Sequence, residues 1–178
     1  MDIGYLELCI GPMFAGKTSY LLNKIKYLNS NNIPFTVLKP SIDNRYATNK
    51  ITSHDKISYD CTTINSLEET NDIHLEKVIL IEEAQFFPNI SSCIIDWVNS
   101  GKTIYAAFLN GDSNMNVFGD VSRLYAYCDN IIFKKATCIC GDEASFTMRK
   151  ASSDEQVLVG GADMYMSVCR KCFKSNNI

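Results

Sequence analysis

Residues 8–18 read LCIGPMFAGKT and contain Gly11, Gly16, Lys17 and Thr18 at the spacing G-x-x-x-x-G-K-[ST]. This spacing is typical of a phosphate-binding loop, in which glycines let backbone amides converge on a phosphate without obstruction by side chains. The lysine of such a loop reaches the outer phosphates of a nucleotide, and the hydroxyl that follows it ligates magnesium. The stretch therefore predicts a nucleotide site around which the rest of the chain is arranged.

The surroundings of this loop agree with a phosphate site. Residues 5–10 are mostly apolar and predict a short strand, whereas Leu21, Leu22, Ile25 and Leu28 recur at helical spacing after the loop. A glycine turn that happens to precede a helix is the alternative interpretation. The position between a strand and a helix favours the phosphate loop, because that mechanism requires it.

The downstream pattern predicts a parallel α/β fold of one domain over residues 1–134, with helices flanking a P-loop sheet. Residues 41–60 are polar and lack periodicity, so we expect a mobile loop there. Further strands are predicted at residues 35–38, 78–81, 103–109 and 131–133. Helices are predicted at residues 66–75 and 89–100, and a short helix after residues 118–120 that runs through Leu124 to Tyr127.

Two adjacent acids follow the apolar run at residues 78–81. In open parallel sheets the active crevice lies at the carboxyl ends of the strands. Glu82 and Glu83 would emerge at that edge, as a metal-supporting carboxylate followed by a candidate general base. A solvated acidic turn explains the pair equally well at this stage.

Composition limits the classes of function. The chain has 178 residues, 46% of them hydrophobic, a net charge of -3 and a pI near 5.4. Because Lys and Arg are scattered along the sequence, we expect no broad basic surface for nucleic acid. The sequence shows neither a signal stretch nor an apolar run long enough to cross a bilayer, so we expect a cytoplasmic protein that does not associate with a membrane. His54 and His74 lack a second histidine at ligand spacing and are interpreted as surface or capping residues.

Eight cysteines fall into two groups. Four lie singly within apolar segments and are interpreted as reduced, buried thiols: Cys9, Cys61, Cys93 and Cys128. The other four form two pairs about thirty residues apart and predict a structural zinc site that staples residues 135–178: Cys138, Cys140, Cys169 and Cys172. The first pair is one residue shorter than C-x-x-C, so free thiols or a three-cysteine site with another ligand stay open.

GPMFAGKT, EEAQFFP and GGADMY followed by CRKC resemble the thymidine kinases of the class shared by the vertebrate cytosolic enzyme and large DNA viruses. The poxvirus members are the most similar in length, and the resemblance covers nearly the whole chain. It implies transfer of a phosphate from ATP, with Mg²⁺, to the 5'-hydroxyl of thymidine, giving dTMP and ADP for DNA synthesis. It also implies that residues 135–178 form a zinc-binding subdomain that closes over the nucleoside, and that the enzyme is a homotetramer inhibited by dTTP.

The resemblance implies a role for each matching residue. Glu83 would act as the base, assisted by Lys17, Arg45 and Arg149. ATP and Mg²⁺ would be held by Gly11, Pro12, Met13, Phe14, Ala15, Gly16, Lys17, Thr18, Glu82 and Asp43. The thymidine pocket would comprise Met13, Phe86, Leu109, Ser113, Phe118, Gln156, Val157, Leu158, Val159, Gly160 and Tyr165.

The chain departs from the family pattern at several of these positions. Glu82 replaces an aspartate, Ser113 replaces a pocket aromatic, and Met115 and Asn116 replace basic residues. These changes raise two alternatives: a deoxynucleoside kinase with broadened pyrimidine specificity, and a nucleotide-binding regulatory protein that has lost catalysis. Retention of the phosphate-loop residues and of Glu83 favours an enzyme.

Overall fold

The computed structural model describes residues 3–43, 48–72, 74–150 and 155–175. Within these ranges the strands are β1 (Tyr5–Gly11), β2 (Phe35–Pro40), β3 (Lys50–Thr52), β4 (Ser58–Asp60), β5 (Thr62–Ile64), β6 (Val78–Ile81), β7 (Thr103–Leu109), β8 (Asn130–Phe133), β9 (Ala136–Thr137), β10 (Glu143–Ala144), β11 (Phe146–Arg149) and β12 (Tyr165–Val168). The α-helices are α1 (Lys17–Ser30), α2 (Ile90–Asn99) and α3 (Arg170–Ser175), and the 3-10 helices span Leu67–Asp72, Ala84–Phe86 and Val121–Ala126. In the described ranges no helix is both long and apolar enough to cross a bilayer.

Six strands form one parallel sheet in the order β5-β2-β6-β7-β1-β8. The predicted parallel sheet flanked by helices is therefore confirmed. Because all six strands run the same way, the segments that follow β1, β2, β6 and β7 emerge at one edge. Gly11 lies opposite Leu109 across the β1–β7 pair, so the phosphate loop and the turn after β7 start side by side.

The sheet is covered on both faces. Leu6, Leu8 and Ile10 of β1 alternate onto one core, whereas Cys9 points into a second core against α1. Helix α1 presents Leu21, a position with no exposed surface, to that second core. Each fully buried aliphatic side chain of this kind contributes roughly 1.5–3 kcal/mol to folding. The cores thus fix the strand ends from which the site is built.

The segment after β8 forms its own small structure. Strands β9 and β10 pair as one antiparallel sheet, and β11 and β12 pair as another. A third, separate core contains Cys138, Met148, Val168 and Phe173 and packs against Cys169 and Cys172. The division of the chain into units at residues 1–134 and 135–178 stays a prediction.

The loop predicted over residues 41–60 is wrong for part of its length. Strands β3 and β4 pair there as an antiparallel hairpin, and β5 extends the large sheet just after it. Ile51 is buried, and the ring of Tyr59 lies 5.7 Å from that of Phe35. A strand of three residues with one buried side chain is too short to give a periodic sequence pattern. Tertiary packing therefore determines this hairpin.

Candidate active site

The phosphate loop occupies the turn between β1 and α1. A Cβ atom on Gly11 would lie 2.3 Å from the carbonyl oxygen of Lys134, so only glycine allows this close approach. Gly16 adopts a left-handed conformation with φ of 79°, immediately before the helix begins. Lys17 is buried, and its Nζ donates to the carbonyl oxygen of Pro12 at 2.7 Å. The lysine is thereby folded back over its own loop.

Two carboxylates approach the loop from neighbouring strands. The hydroxyl of Thr18 donates a hydrogen bond to Oε1 of Glu82, a residue that follows β6. The second carboxylate belongs to Asp43, which follows β2. Its Oδ2 lies 3.4 Å from the Nζ of Lys39. Hydroxyl and carboxylate oxygens are the ligands that Mg²⁺ prefers, so Thr18 and Glu82 fit a magnesium site.

These groups line a phosphate-side cavity of about 1340 Å³, including the part open to solvent. Six consecutive loop residues and both carboxylates predicted to bind the cofactor border it, whereas Gly11 and Pro12 are not part of its lining. The wall also includes the fully buried Lys39 and the exposed His54 at the tip of the β3–β4 hairpin. The complete lining is Met13, Phe14, Ala15, Gly16, Lys17, Thr18, Ser19, Lys39, Asp43, Ile51, Thr52, His54, Asp55, Glu82, Glu83 and Ala162.

Glu83 is held in an unusual backbone conformation. Its φ of 48° and ψ of 43° are left-handed, a region that non-glycine residues rarely occupy and that is found preferentially at functional sites. Its Oε2 accepts a hydrogen bond of 2.7 Å from Nε2 of Gln85. The Oε1 of Gln85 in turn accepts from the backbone nitrogen of Leu109 at 3.2 Å. Gln85 therefore connects the candidate base to the end of β7.

A second cavity of about 460 Å³, again including open space, adjoins the first. Met13, Asp43 and Glu83 line both cavities. The rings of Phe86 and Phe118 meet edge to face in its wall at 6.0 Å. All eleven residues predicted to bind thymidine border this cavity: Met13, Phe86, Leu109, Ser113, Phe118, Gln156, Val157, Leu158, Val159, Gly160 and Tyr165. Its other lining residues are Asp43, Glu83, Gly111, Asp112 and Thr147.

The segment that covers this cavity, residues 155–161, is called the lasso here. The Nη2 of Arg149 donates to the carbonyl oxygens of Glu155 at 2.8 Å and Gln156 at 3.4 Å. The hydroxyl of Tyr165 donates to the carbonyl oxygen of Leu158 at 2.6 Å. Arg149 thus contacts the lasso and does not border the phosphate-side cavity. Arg45, the other predicted phosphate-directed arginine, lies outside the described residues.

The β11–β12 hairpin also forms hydrogen bonds with the phosphate loop. The backbone nitrogen of Met13 donates to Oγ1 of Thr147 at 3.0 Å, and the hydroxyl of Ser167 donates to the carbonyl oxygen of Met13. Both hydroxyls are buried. In addition, Nδ2 of Asn110 donates to the carbonyl oxygen of Ser145 at 3.0 Å. The cysteine-rich segment and the nucleotide site are therefore directly bonded.

The four clustered cysteines have the geometry of a metal site. The sulfur atoms of Cys138, Cys140, Cys169 and Cys172 all lie within 4.8 Å of one another, and those of Cys140 and Cys169 are 3.8 Å apart. Tetrahedral zinc–thiolate bonds of about 2.3 Å place sulfurs about 3.8 Å apart. The backbone N–H of Cys140, assisted by that of Cys169, lowers the pKa of Cys138 to about 6. Cys138 therefore favours the thiolate, the form that binds a metal, whereas hydrogen bonds with the neighbouring thiols raise the pKa of Cys172 to about 12.

Four residues of the site carried little or no signal in the sequence. Gln85 lies within EEAQFF and could have been suspected from its place two residues after the candidate base. Lys39, Thr147 and Ser167 occur in strands and match no motif. Only the assembled fold brings them to the loop.

Comparison with known proteins identifies the family. Residues 4–173 match the family model described as thymidine kinase. The chain is 37% identical over 183 residues to thymidine kinase of fowlpox virus (strain NVSL), an alignment that covers 99% of this chain and all of that protein. It is 36% identical to thymidine kinase 1 of Dictyostelium discoideum, over 97% of this chain and 79% of that protein. Thymidine kinase of myxoma virus (strain Lausanne) is also 36% identical, with 96% of each chain covered. The chain belongs to the thymidine kinase family.

Proposed function

We propose that this enzyme transfers the γ-phosphoryl group of ATP to the 5'-hydroxyl of thymidine, giving dTMP and ADP in nucleotide salvage for DNA synthesis. The observation that carries the proposal is the position of Glu83, which lines both cavities. The phosphate-binding loop lines the first of these cavities, and the rings of Phe86, Phe118 and Tyr165 line the second. We therefore infer that the phosphoryl group passes near the residues common to both cavities, Met13, Asp43 and Glu83.

In this proposal catalysis rests on positioning and charge stabilisation. Glu83 accepts the proton of the thymidine hydroxyl, and Gln85 fixes the direction of the carboxylate. Lys17 and the loop amides hold the phosphates of ATP in line. Arg45 and Arg149 would add positive charge as the family resemblance implies. Mg²⁺ held by Thr18 and Glu82 supplies neutralisation of phosphate charge when bound.

The substitution Glu83→Gln tests the proposed base. Glutamine keeps the size and the contact with Gln85 but cannot accept a proton, so we expect turnover to fall about 100-fold or more with nucleotide binding unchanged. ATP binding is measured by calorimetry and phosphoryl transfer by dTMP formation. Glu143→Gln, an exposed change at the Lys135 ion pair, is the matched control. Equal turnover in Glu83→Gln and wild type would remove Glu83 from this role.

A second candidate function is broader pyrimidine specificity. The half-buried Ser113 stands in the cavity wall where the family pattern has an aromatic residue, and the buried carboxylate of Asp112 is beside it. A less complete apolar wall excludes fewer bases. Competition among thymidine, deoxyuridine and deoxycytidine separates the two: a strong preference for thymidine supports the narrow function, whereas similar kcat/KM values support the broader one.

We further propose that the cysteine cluster binds structural zinc and that the enzyme acts in the cytoplasm. All eight cysteines are free, and a thiolate site of this kind requires reducing surroundings. Metal analysis of the purified protein tests the zinc proposal, with one ion per chain expected.

The homotetramer and the inhibition by dTTP implied by the resemblance are tested by sedimentation and by turnover at increasing dTTP.

A further inference from the structure

The turn that follows β7 carries a buried carboxylate which the proposed reaction does not use. Asp112 is only 5% exposed and lines the nucleoside cavity. Its Oδ1 accepts hydrogen bonds from the backbone nitrogens of Asn114 and Asn116, both at 2.8 Å. This oxygen therefore stabilises the turn itself. The other oxygen, Oδ2, faces the lasso.

That second oxygen makes a contact across the cavity mouth. The Nε2 of Gln156 donates to Oδ2 of Asp112 at 3.0 Å, and also to the carbonyl oxygen of Val117 at 3.1 Å. The amide of Asn116 approaches the same carboxylate oxygen at 3.4 Å. Asp112 and Gln156 are 44 residues apart in the chain, so the bond joins two separate segments. Hydrogen bonds to a charged acceptor are stronger than neutral ones, more so when the acceptor is buried.

Two side chains of the β11–β12 hairpin also hold the lasso. Arg149 and Tyr165, both from the β11–β12 hairpin, bond to backbone carbonyls of the lasso. They tie the lasso to the cysteine-rich segment from which it starts. The Gln156 side chain, by contrast, ties it to the turn after β7, a separate part of the cavity lining.

We propose that Asp112 and Gln156 form a latch that holds the lasso closed over the nucleoside, which makes both of them positioning residues. This inference rests on the proposed function for its substrate. The latch adds no group to the chemistry. It sets how long the lasso stays shut, and therefore how tightly the nucleoside is held.

Reversing the polarity of the bond tests the latch. Gln156→Glu sets two carboxylates against each other. Asp112→Asn removes the charged acceptor while keeping an oxygen for the turn, and its amide can pair with Gln156 only if the Gln156 amide turns over and loses its bond to Val117. We expect each single change to raise the KM for thymidine about five- to tenfold with kcat little changed. In the double variant the amide introduced at position 112 can donate to the carboxylate introduced at position 156. Its KM should return to within about threefold of wild type, the remainder reflecting the lost bond to Val117.

Asn114→Asp is the matched control. It makes the same amide-to-acid change in the same turn, but on an exposed side chain, and should leave the KM unchanged. Hydrogen–deuterium exchange of residues 155–161 without substrate gives a readout besides activity. Exchange should be faster in both single variants than in wild type and slower again in the double variant.

The outcomes separate the latch from the reaction. Unchanged KM and unchanged hydrogen exchange in the single variants would overturn the latch. It would also be overturned if the KM of the double variant rose by the product of the two single-variant increases, because the two changes would then act independently. If the wild-type enzyme failed to phosphorylate thymidine, the proposed function would fall. The exchange of the lasso would still decide whether Asp112 and Gln156 hold it closed.

Discussion

At the scale of single residues, the backbone of Glu83 has an energetic cost. A left-handed conformation costs a residue with a Cβ atom about 1–2 kcal/mol. The strain places the carboxylate between the two cavities, where Gln85 fixes it from one side. A glycine at this position would relax the backbone and remove the acid. The local strain is thus consistent with a functional requirement for this side chain.

Gln85→Leu should lower kcat for thymidine by about 10- to 100-fold while changing the KM less. The carboxylate of Glu83 loses its fixed direction, and small displacements of a reacting group are costly. The buried backbone nitrogen of Leu109 also loses its partner, which should lower the free energy of unfolding by about 1–3 kcal/mol. Steady-state kinetics and urea unfolding measure the two effects.

Asn31→Leu is the control for this change, since it removes an exposed side-chain amide that donates to the carbonyl oxygen of Tyr27 at 2.8 Å. Both kcat and stability should stay close to those of wild type. A Gln85→Leu enzyme with normal kcat would show that Glu83 does not depend on this glutamine.

At the scale of elements, one carboxylate joins β1, α1 and β8. Glu7 is buried in β1 and accepts hydrogen bonds from Lys24 at 2.8 Å, Asn130 at 2.9 Å, Tyr5 at 2.8 Å and the hydroxyl of Tyr20. Burial by itself would raise the pKa of Glu7, but these donors outweigh it and lower the pKa from its usual 4.5 to about 2. The charged form is therefore the one that stabilises the fold.

A depressed carboxyl pKa stabilises the folded state above the unfolded-state pKa. Glu7→Gln should lower the free energy of unfolding by about 1–2 kcal/mol at pH 7, allowing for partial solvent screening. The deficit should persist down to about pH 4.5 and disappear as the pH falls toward 2. Thermal unfolding across this range measures it. Glu143→Gln at the exposed Lys135 pair should change stability by less than about 0.5 kcal/mol.

The elements that could be predicted from sequence are those with a strong pattern of their own. The run at residues 78–81 and the spacing of Leu21, Ile25 and Leu28 indicate a buried strand and an amphipathic helix, both of which are present. The β3–β4 hairpin and the strands between β9 and β12 are two to four residues long, and their stability comes from distant contacts. The same limit applies to the site: motifs indicated the loop and the two acids, whereas Thr147 and Ser167 gave no signal.

At the scale of the whole molecule, the cysteine cluster supports the nucleoside cavity from a distance. It shares a core with β11 and β12, the strands that carry Arg149 and Tyr165 to the lasso. With the proposed zinc bound, a core this small would depend on the metal for its stability. Loss of the metal should therefore affect the lasso before it affects the large sheet.

Chelation of the metal should accelerate hydrogen exchange across residues 138–172 and raise the KM for thymidine about tenfold or more. Nucleotide binding should weaken less than thymidine binding, because Lys17 and Thr18 belong to the large sheet's own loop and helix and the loop loses only its two bonds at Met13. Cys172→Ser should act in the same direction, and Cys128→Ser, outside the cluster, is its control. Thymidine binding that survives complete metal removal would contradict this coupling.

The two hydrogen bonds at Met13 also bear on how the chain is made. They join the phosphate loop to Thr147 and Ser167, across 134 and 154 residues of sequence. A chain still growing on the ribosome lacks both partners until β12 has been synthesised. Contacts between such distant residues also slow folding. Although the loop is translated before its partners, it is therefore completed late: a nascent chain gains both bonds at Met13 only after β12 has been synthesised.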